Sequence, residues 1–214
     1  MLITSKLYSR DWFEDVNQYT WDFLCDYGGG QIIIEFLERL VKFRKKLWKI
    51  SREPCEKVLG RDFSAWKKKD LKKALSVWEG FNFEVFKDRY DELLCDANVS
   101  LEGVDELVER IAAWMKLVAL DDLGQRTQEL EAQGLNVDDN IKEFLERNNK
   151  FWLDLNENKN LGNALSVWKG FDSWDFEFSF TKAGGSFEGL DELFTWISEE
   201  IWRAEWRAGS ALKG

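Results

Sequence analysis

Carboxylates supply most of the reactive chemistry in this 214-residue chain. Asp175 with Glu177, and Glu157-Asn158-Lys159, are the acids that can be assembled into a magnesium-dependent nuclease constellation. The run Asp154-Leu155-Asn156-Glu157-Asn158-Lys159-Asn160 opens as a calcium loop does. Lys159, however, stands where a glycine must make the turn, and Leu165 where the bidentate Glu belongs, so the loop is rejected. Gly28-Gly29-Gly30 lacks the Lys-Ser/Thr of a phosphate-binding loop and needs no role beyond the turn into a helix. Ser9, Ser64 and Ser76 have no base to activate them, because the chain has no histidine. That absence also removes the commonest nitrogen ligand for transition metals, so no cofactor and no metal are expected and the chain reads as a non-enzyme.

The three cysteines, Cys25, Cys55 and Cys95, are odd in number and show no CxxC spacing, which argues against a disulfide framework or a zinc knuckle and for a reducing, cytoplasmic home. No apolar run approaches 18 residues, so no membrane association is expected. A chain of this length buries roughly 70% of its extended surface. With 44% hydrophobic residues, 12 Trp and 16 Phe, it folds without staples, and its net charge of −10 decorates a packed body.

The elements that position these residues come in duplicate. Ala74-Leu75-Ser76-Val77-Trp78-Glu79-Gly80-Phe81 returns as Ala164-Leu165-Ser166-Val167-Trp168-Lys169-Gly170-Phe171, with one difference in eight. Upstream, Glu35-Phe36-Leu37-Glu38-Arg39 matches residues 143–147; downstream, Ser100-Leu101-Glu102-Gly103-Val104-Asp105-Glu106-Leu107 matches residues 186–193. Three matches in one order mean an internal duplication, with offsets of 108, 90 and 86 whose differences belong in loops.

Each copy reads as helix, short helix, strand, helix. Apolar residues recur at helical spacing at Ile33, Phe36, Leu37, Leu40 and Leu47, and again at Ile141, Phe144, Leu145 and Leu155. A short helix holding Leu71, Ala74, Leu75 and Trp78 ends at Gly80, and its twin ends at Gly170, where a left-handed C′ residue is expected. Trp174-Asp175-Phe176-Glu177-Phe178-Ser179-Phe180 alternates apolar and polar, predicting a strand that Phe81-Asn82-Phe83-Glu84-Val85 echoes. A last helix is expected to open on Ser100 or Ser186 as N-cap. The predicted fold is therefore α+β and mostly helical. Two tandem repeats are packed into one body with their strands antiparallel, a hinged two-body form near residue 124 being the alternative. Residues 1–30 are read as an aromatic N-terminal cap, 31–118 as copy one with a basic insertion near 49–69, 119–139 as a connector, 140–208 as copy two and 209–214 as a tail.

Charge divides the chain. Residues 42–73 hold 13 Lys and Arg against four acids, while the remainder holds 17 against 36. Lys45, Lys46, Lys49, Arg52, Lys67, Lys68 and Lys69, with Trp48 and Trp66 nearby, are read first as a solvated helix face, with a nucleic-acid contact as the alternative. The acidic remainder suits a basic protein partner. Trp78 and Trp168 coincide between copies and are read as core. Trp196 aligns with Arg110 and Trp202 with Lys116, positions where the sister copy carries charge, and Trp196 falls about 180° from Phe187 on the helix wheel.

The sequence thus predicts an acidic, tryptophan-rich protein that binds and blocks a partner, in the manner of immunity proteins or anti-defence inhibitors. Trp196 and Trp202 are its expected anchors, and Asp191, Glu192, Glu199 and Glu200 the source of its field. A nucleic-acid-binding module working through residues 42–73 is the rival, and a magnesium nuclease the third reading.

Overall fold

A computed structural model describes residues 30–52, 68–97, 104–134, 137–158 and 160–211. The chain divides into two compact units, residues 1–115 and 116–214. The aromatic N-terminal segment before Gly30, most of the basic insertion (53–67), Cys25 and Cys55 lie outside the described residues.

In the first unit, α1 (Gly30–Ser51) carries Ile33, Phe36, Leu40, Phe43 and Leu47 on one buried stripe. Helix α2 (Lys68–Leu75) packs against it and tightens into a 3₁₀ turn, Ser76–Trp78. Helix α3 (Phe83–Ala97) packs on α1, and residues 104–115 of α4 (Val104–Ala132) complete the described part of this unit.

The second unit takes the rest of α4 and repeats the pattern. Helix α5 (Asp139–Asn158) meets α6 (Leu161–Leu165), whose 3₁₀ extension is Ser166–Trp168; α7 (Ser173–Lys182) and α8 (Leu190–Ala211) follow. Within α4, Gly124 is a close-approach residue, because a β-carbon there would stand 2.2 Å from the Asn148 amide nitrogen of α5.

The aromatic cores of the two units share ring pairs of matching geometry. Phe36 and Trp78 lie 5.3 Å apart at 42°, and Phe144 and Trp168 lie 5.3 Å apart at 41°. Phe36 stacks on Phe86 at 4.1 Å and Phe144 on Phe176 at 4.3 Å. Trp78 and Trp168 are buried, and the indole N–H of each has no hydrogen-bond partner among the described residues. An unmet N–H costs about 1–3 kcal/mol, whereas burying the whole ring contributes about 4–6 kcal/mol, so packing decides the position. Gly80 and Gly170 both take φ of +70°, the left-handed turn that ends each 3₁₀ segment.

The fold is helical where the alternation predicts strands: among the described residues there is no strand, so an α+β body with antiparallel strands is excluded. Residues 174–180 lie in α7, and residues 83–85 open α3. The alternation has a helical meaning. At 100° per residue, positions two apart lie 200° apart, so Phe176 and Phe180 share one face and Trp174 and Phe178 the opposite one. The side chain of Asp172 caps α7 by accepting from the backbone N–H of Trp174 and Asp175, and Asn82 accepts from that of Val85. Ser186 is not the cap of α8; the helix starts at Leu190, and the Ser186 carbonyl accepts from Arg126 at 2.8 Å. Most of the expected connector is continuous helix in α4.

Candidate functional site

Two arginines build the frame that presents the exposed surfaces. In the second unit Arg147 forms an ion pair with Glu143, donates to the Val167 and Lys169 carbonyls, and lies 5.6 Å from the centre of the Phe171 ring. Those carbonyls end the 3₁₀ turn and have no helical partner, so the guanidinium serves as their cap. The turn fixes the start of α7, and with it the direction of the α7 outer face.

That face is aromatic. Trp174 is 77% and Phe178 68% exposed, one helical turn apart, while Phe176 and Phe180 are buried beneath. At the matching positions of α3 the first copy carries Glu84 and Asp88, both exposed. The fold therefore accepts acids there, and the aromatic pair is a property of the second copy alone. Asp175 shares the exposed side of α7. On another side of α7, the Glu177 carboxyl is raised above its ordinary value by burial, and further by the charge of Asp191 and the hydrogen bond between the two. No Lys or Arg among the described residues pairs with Glu177 or Asp191.

A second aromatic pair stands on α8, where Trp202 is 65% and Trp206 64% exposed at i, i+4. Ala204 faces the other way, close against Gly162 of α6. Trp196 is half-buried. The wheel that sets it opposite Phe187 fails because Phe187 precedes α8; measured within the helix, Trp196 flanks the buried Leu193 and Ile197. The acids expected to project a field are partly neutralised. Glu200 and Glu199 both meet Arg203, at 2.6 and 3.7 Å, and Glu192 meets Lys116 at 3.2 Å. Glu205 pairs with Lys169.

In the first unit, Lys42, Lys45 and Lys49 are exposed along one side of α1 with Trp48, which is 50% exposed, and Arg52 is exposed just past the helix end. Lys46 is drawn away to the Lys73 carbonyl and the Ser76 hydroxyl, at 3.1 and 2.8 Å, and fastens α1 to the end of α2. Lys69 is exposed on α2; Lys68 opens that helix, and Lys67 lies outside the described residues.

Sequence reasoning missed Trp174, Phe178 and Trp206. The alternating pattern places the first two on a strand face; the i, i+4 spacing of Trp202 and Trp206 was the available signal for the third. Among the described residues no group of three acids or cysteines is arranged to hold a metal ion, and Asp175 and Glu177 point to different sides of α7. No helix of the described residues is long and apolar enough to cross a membrane. Searches of protein-family models, curated proteins and solved structures find nothing that matches this chain.

Proposed function

We propose that the protein is a non-enzymatic, cytoplasmic binding protein that docks on a basic protein partner and occludes it, as toxin-neutralising immunity proteins and phage inhibitors of host-defence enzymes do. The observation that carries this reading is the exposure of Trp174 and Phe178 where the sister copy is acidic. Large aromatic rings left in water at one-turn spacing have the composition of an interface anchor. Trp202 and Trp206 add a second anchor pair on the same unit.

Charge supports a basic partner. The second unit holds 11 Lys and Arg against 19 Asp and Glu, so most of the chain's net −10 resides with the exposed aromatics. Asp175, Glu177 and Asp191 supply uncompensated acid beside α7, and the ring faces of Trp174 and Phe178 accept Arg or Lys by cation–π contact. The mechanism is steric and electrostatic blocking, with no reaction on the protein itself.

Affinity capture from the native host tests this. The wild-type chain is expected to retain a basic protein and inhibit its activity, and Trp174→Glu with Phe178→Asp to weaken that capture at least about ten-fold. Undiminished capture by the double variant, or turnover of a substrate by the purified protein, overturns the proposal.

A further inference from the structure

We infer that the first unit carries a separate binding site for short single-stranded nucleic acid on the outer side of α1. Lys42, Lys45 and Lys49 stand at i, i+3 and i+7 of α1, spanning about 10 Å of helix with Trp48 among them, and Arg52 follows just past the helix end. No acid occurs on α1 from Arg39 to its end. Among the described residues, none of these four cations forms an ion pair with a carboxylate, so attraction to acids there does not account for the stripe.

The duplication provides the control. The corresponding residues of the second copy are Lys150, Leu153, Asn156, Glu157 and Asn160, one cation where the first copy has four, and a polar residue in place of Trp48. The buried stripe is kept between copies, Phe43 matching Phe151 and Leu47 matching Leu155. The fold thus demands the inner face and leaves the outer one free, and only the first copy made it basic and aromatic. Arg52 adds a backbone signal. Its φ is +60° and its N–H bonds to the Trp48 carbonyl at 2.9 Å, so it closes the helix in the left-handed region that favours glycine.

The chemistry of the stripe selects its ligand. Cations in a row contact phosphates, and a half-exposed indole between them stacks on a base, which requires a base free of its pairing partner. An anionic membrane is a poorer fit, because a surface-lying amphipathic helix inserts its apolar face, and that of α1 is buried in the unit's core. The chain's overall negative charge does not cancel the stripe, since screening limits its reach to about 8 Å at physiological salt.

The test is fluorescence anisotropy of a short labelled oligothymidylate or oligouridylate, titrated at about 50 mM salt and upward. Four phosphate contacts give a slope of log K against log salt of about −3, and Lys45→Glu with Lys49→Glu makes it shallower by about 1.4. Trp48→Ala is expected to weaken binding about ten-fold with an unchanged melting temperature. Absence of binding at the lowest salt, equal affinity of Trp48→Ala and wild type, or sedimentation with phosphatidylserine vesicles in place of oligonucleotide binding each overturns the site.

Discussion

Arg39 and Arg147 occupy one structural role in the two copies: each pairs with the Glu four residues before it, donates to two carbonyls at the end of a 3₁₀ turn, and lies within 5.6 Å of a phenylalanine ring centre. The guanidinium fork matches two carbonyls that no helix satisfies, and the ring below excludes water from its other side. Arg147→Met leaves both carbonyls uncapped and is expected to lower stability by about 2 kcal/mol, measured by denaturant unfolding. Arg147→Lys keeps the charge but not the fork, and restores less than half of that loss. Equal stability of the Lys variant and wild type would mean that charge alone matters.

This shared arginine explains how the duplication was legible while the strand assignment was not. Octapeptides alike at seven of eight positions fix a local structure twice, and the Trp, Gly and Arg positions were visible in the sequence. Trp174 to Phe180, in contrast, satisfies two periods at once: four aromatics two apart are one face of a strand or two opposite faces of a helix. The deciding signal was present in Asn82 and Asp172, which cap α3 and α7 through their side chains, ahead of the aromatics in both copies. The candidate surfaces followed the same rule. Trp202, Lys45 and Lys49 lie exposed on helices that the sequence reads as helices, whereas the exposure of Trp174 and Phe178 was hidden by the wrong period.

If Trp174 and Phe178 serve binding and not folding, replacing them with the sister residues leaves the second unit intact. Trp174→Glu with Phe178→Asp places acids in and after the first turn of α7, where the helix dipole favours a carboxylate at position 174. Thermal unfolding is expected to be unchanged or slightly later than in wild type, while binding of a hydrophobic dye falls. A large drop in melting temperature would assign the pair to the core, against their exposure.

Glu177 and Asp191 make a pH-dependent contact across α7 and α8. The folded state raises the Glu177 carboxyl by burial first and by Asp191 second, so the folded chain binds its proton more tightly than the unfolded chain does. The resulting stabilisation is full below the unfolded carboxylate pKa and disappears as pH rises through the folded one. Above that range the ionised Glu177 carboxylate bears the cost of its burial and of Asp191 beside it. Glu177→Gln is therefore expected to melt later than wild type near pH 7, with the difference shrinking toward zero below about pH 4. A constant difference across that range would show that the gain does not come from titration.

Arg52 separates stability from binding on a single residue. A non-glycine side chain in the left-handed region costs about 1 kcal/mol relative to glycine, so Arg52→Gly is expected to stabilise the protein by about that amount. The same change removes one of the four stripe cations and should make the salt dependence of oligothymidylate binding shallower by about 0.7. Opposite movements, a later unfolding transition and weaker binding, are what a residue kept for its charge predicts, because a position held only for folding would already favour glycine. If Arg52→Gly unfolds earlier than wild type, the arginine contributes to the fold and its left-handed backbone carries no functional meaning.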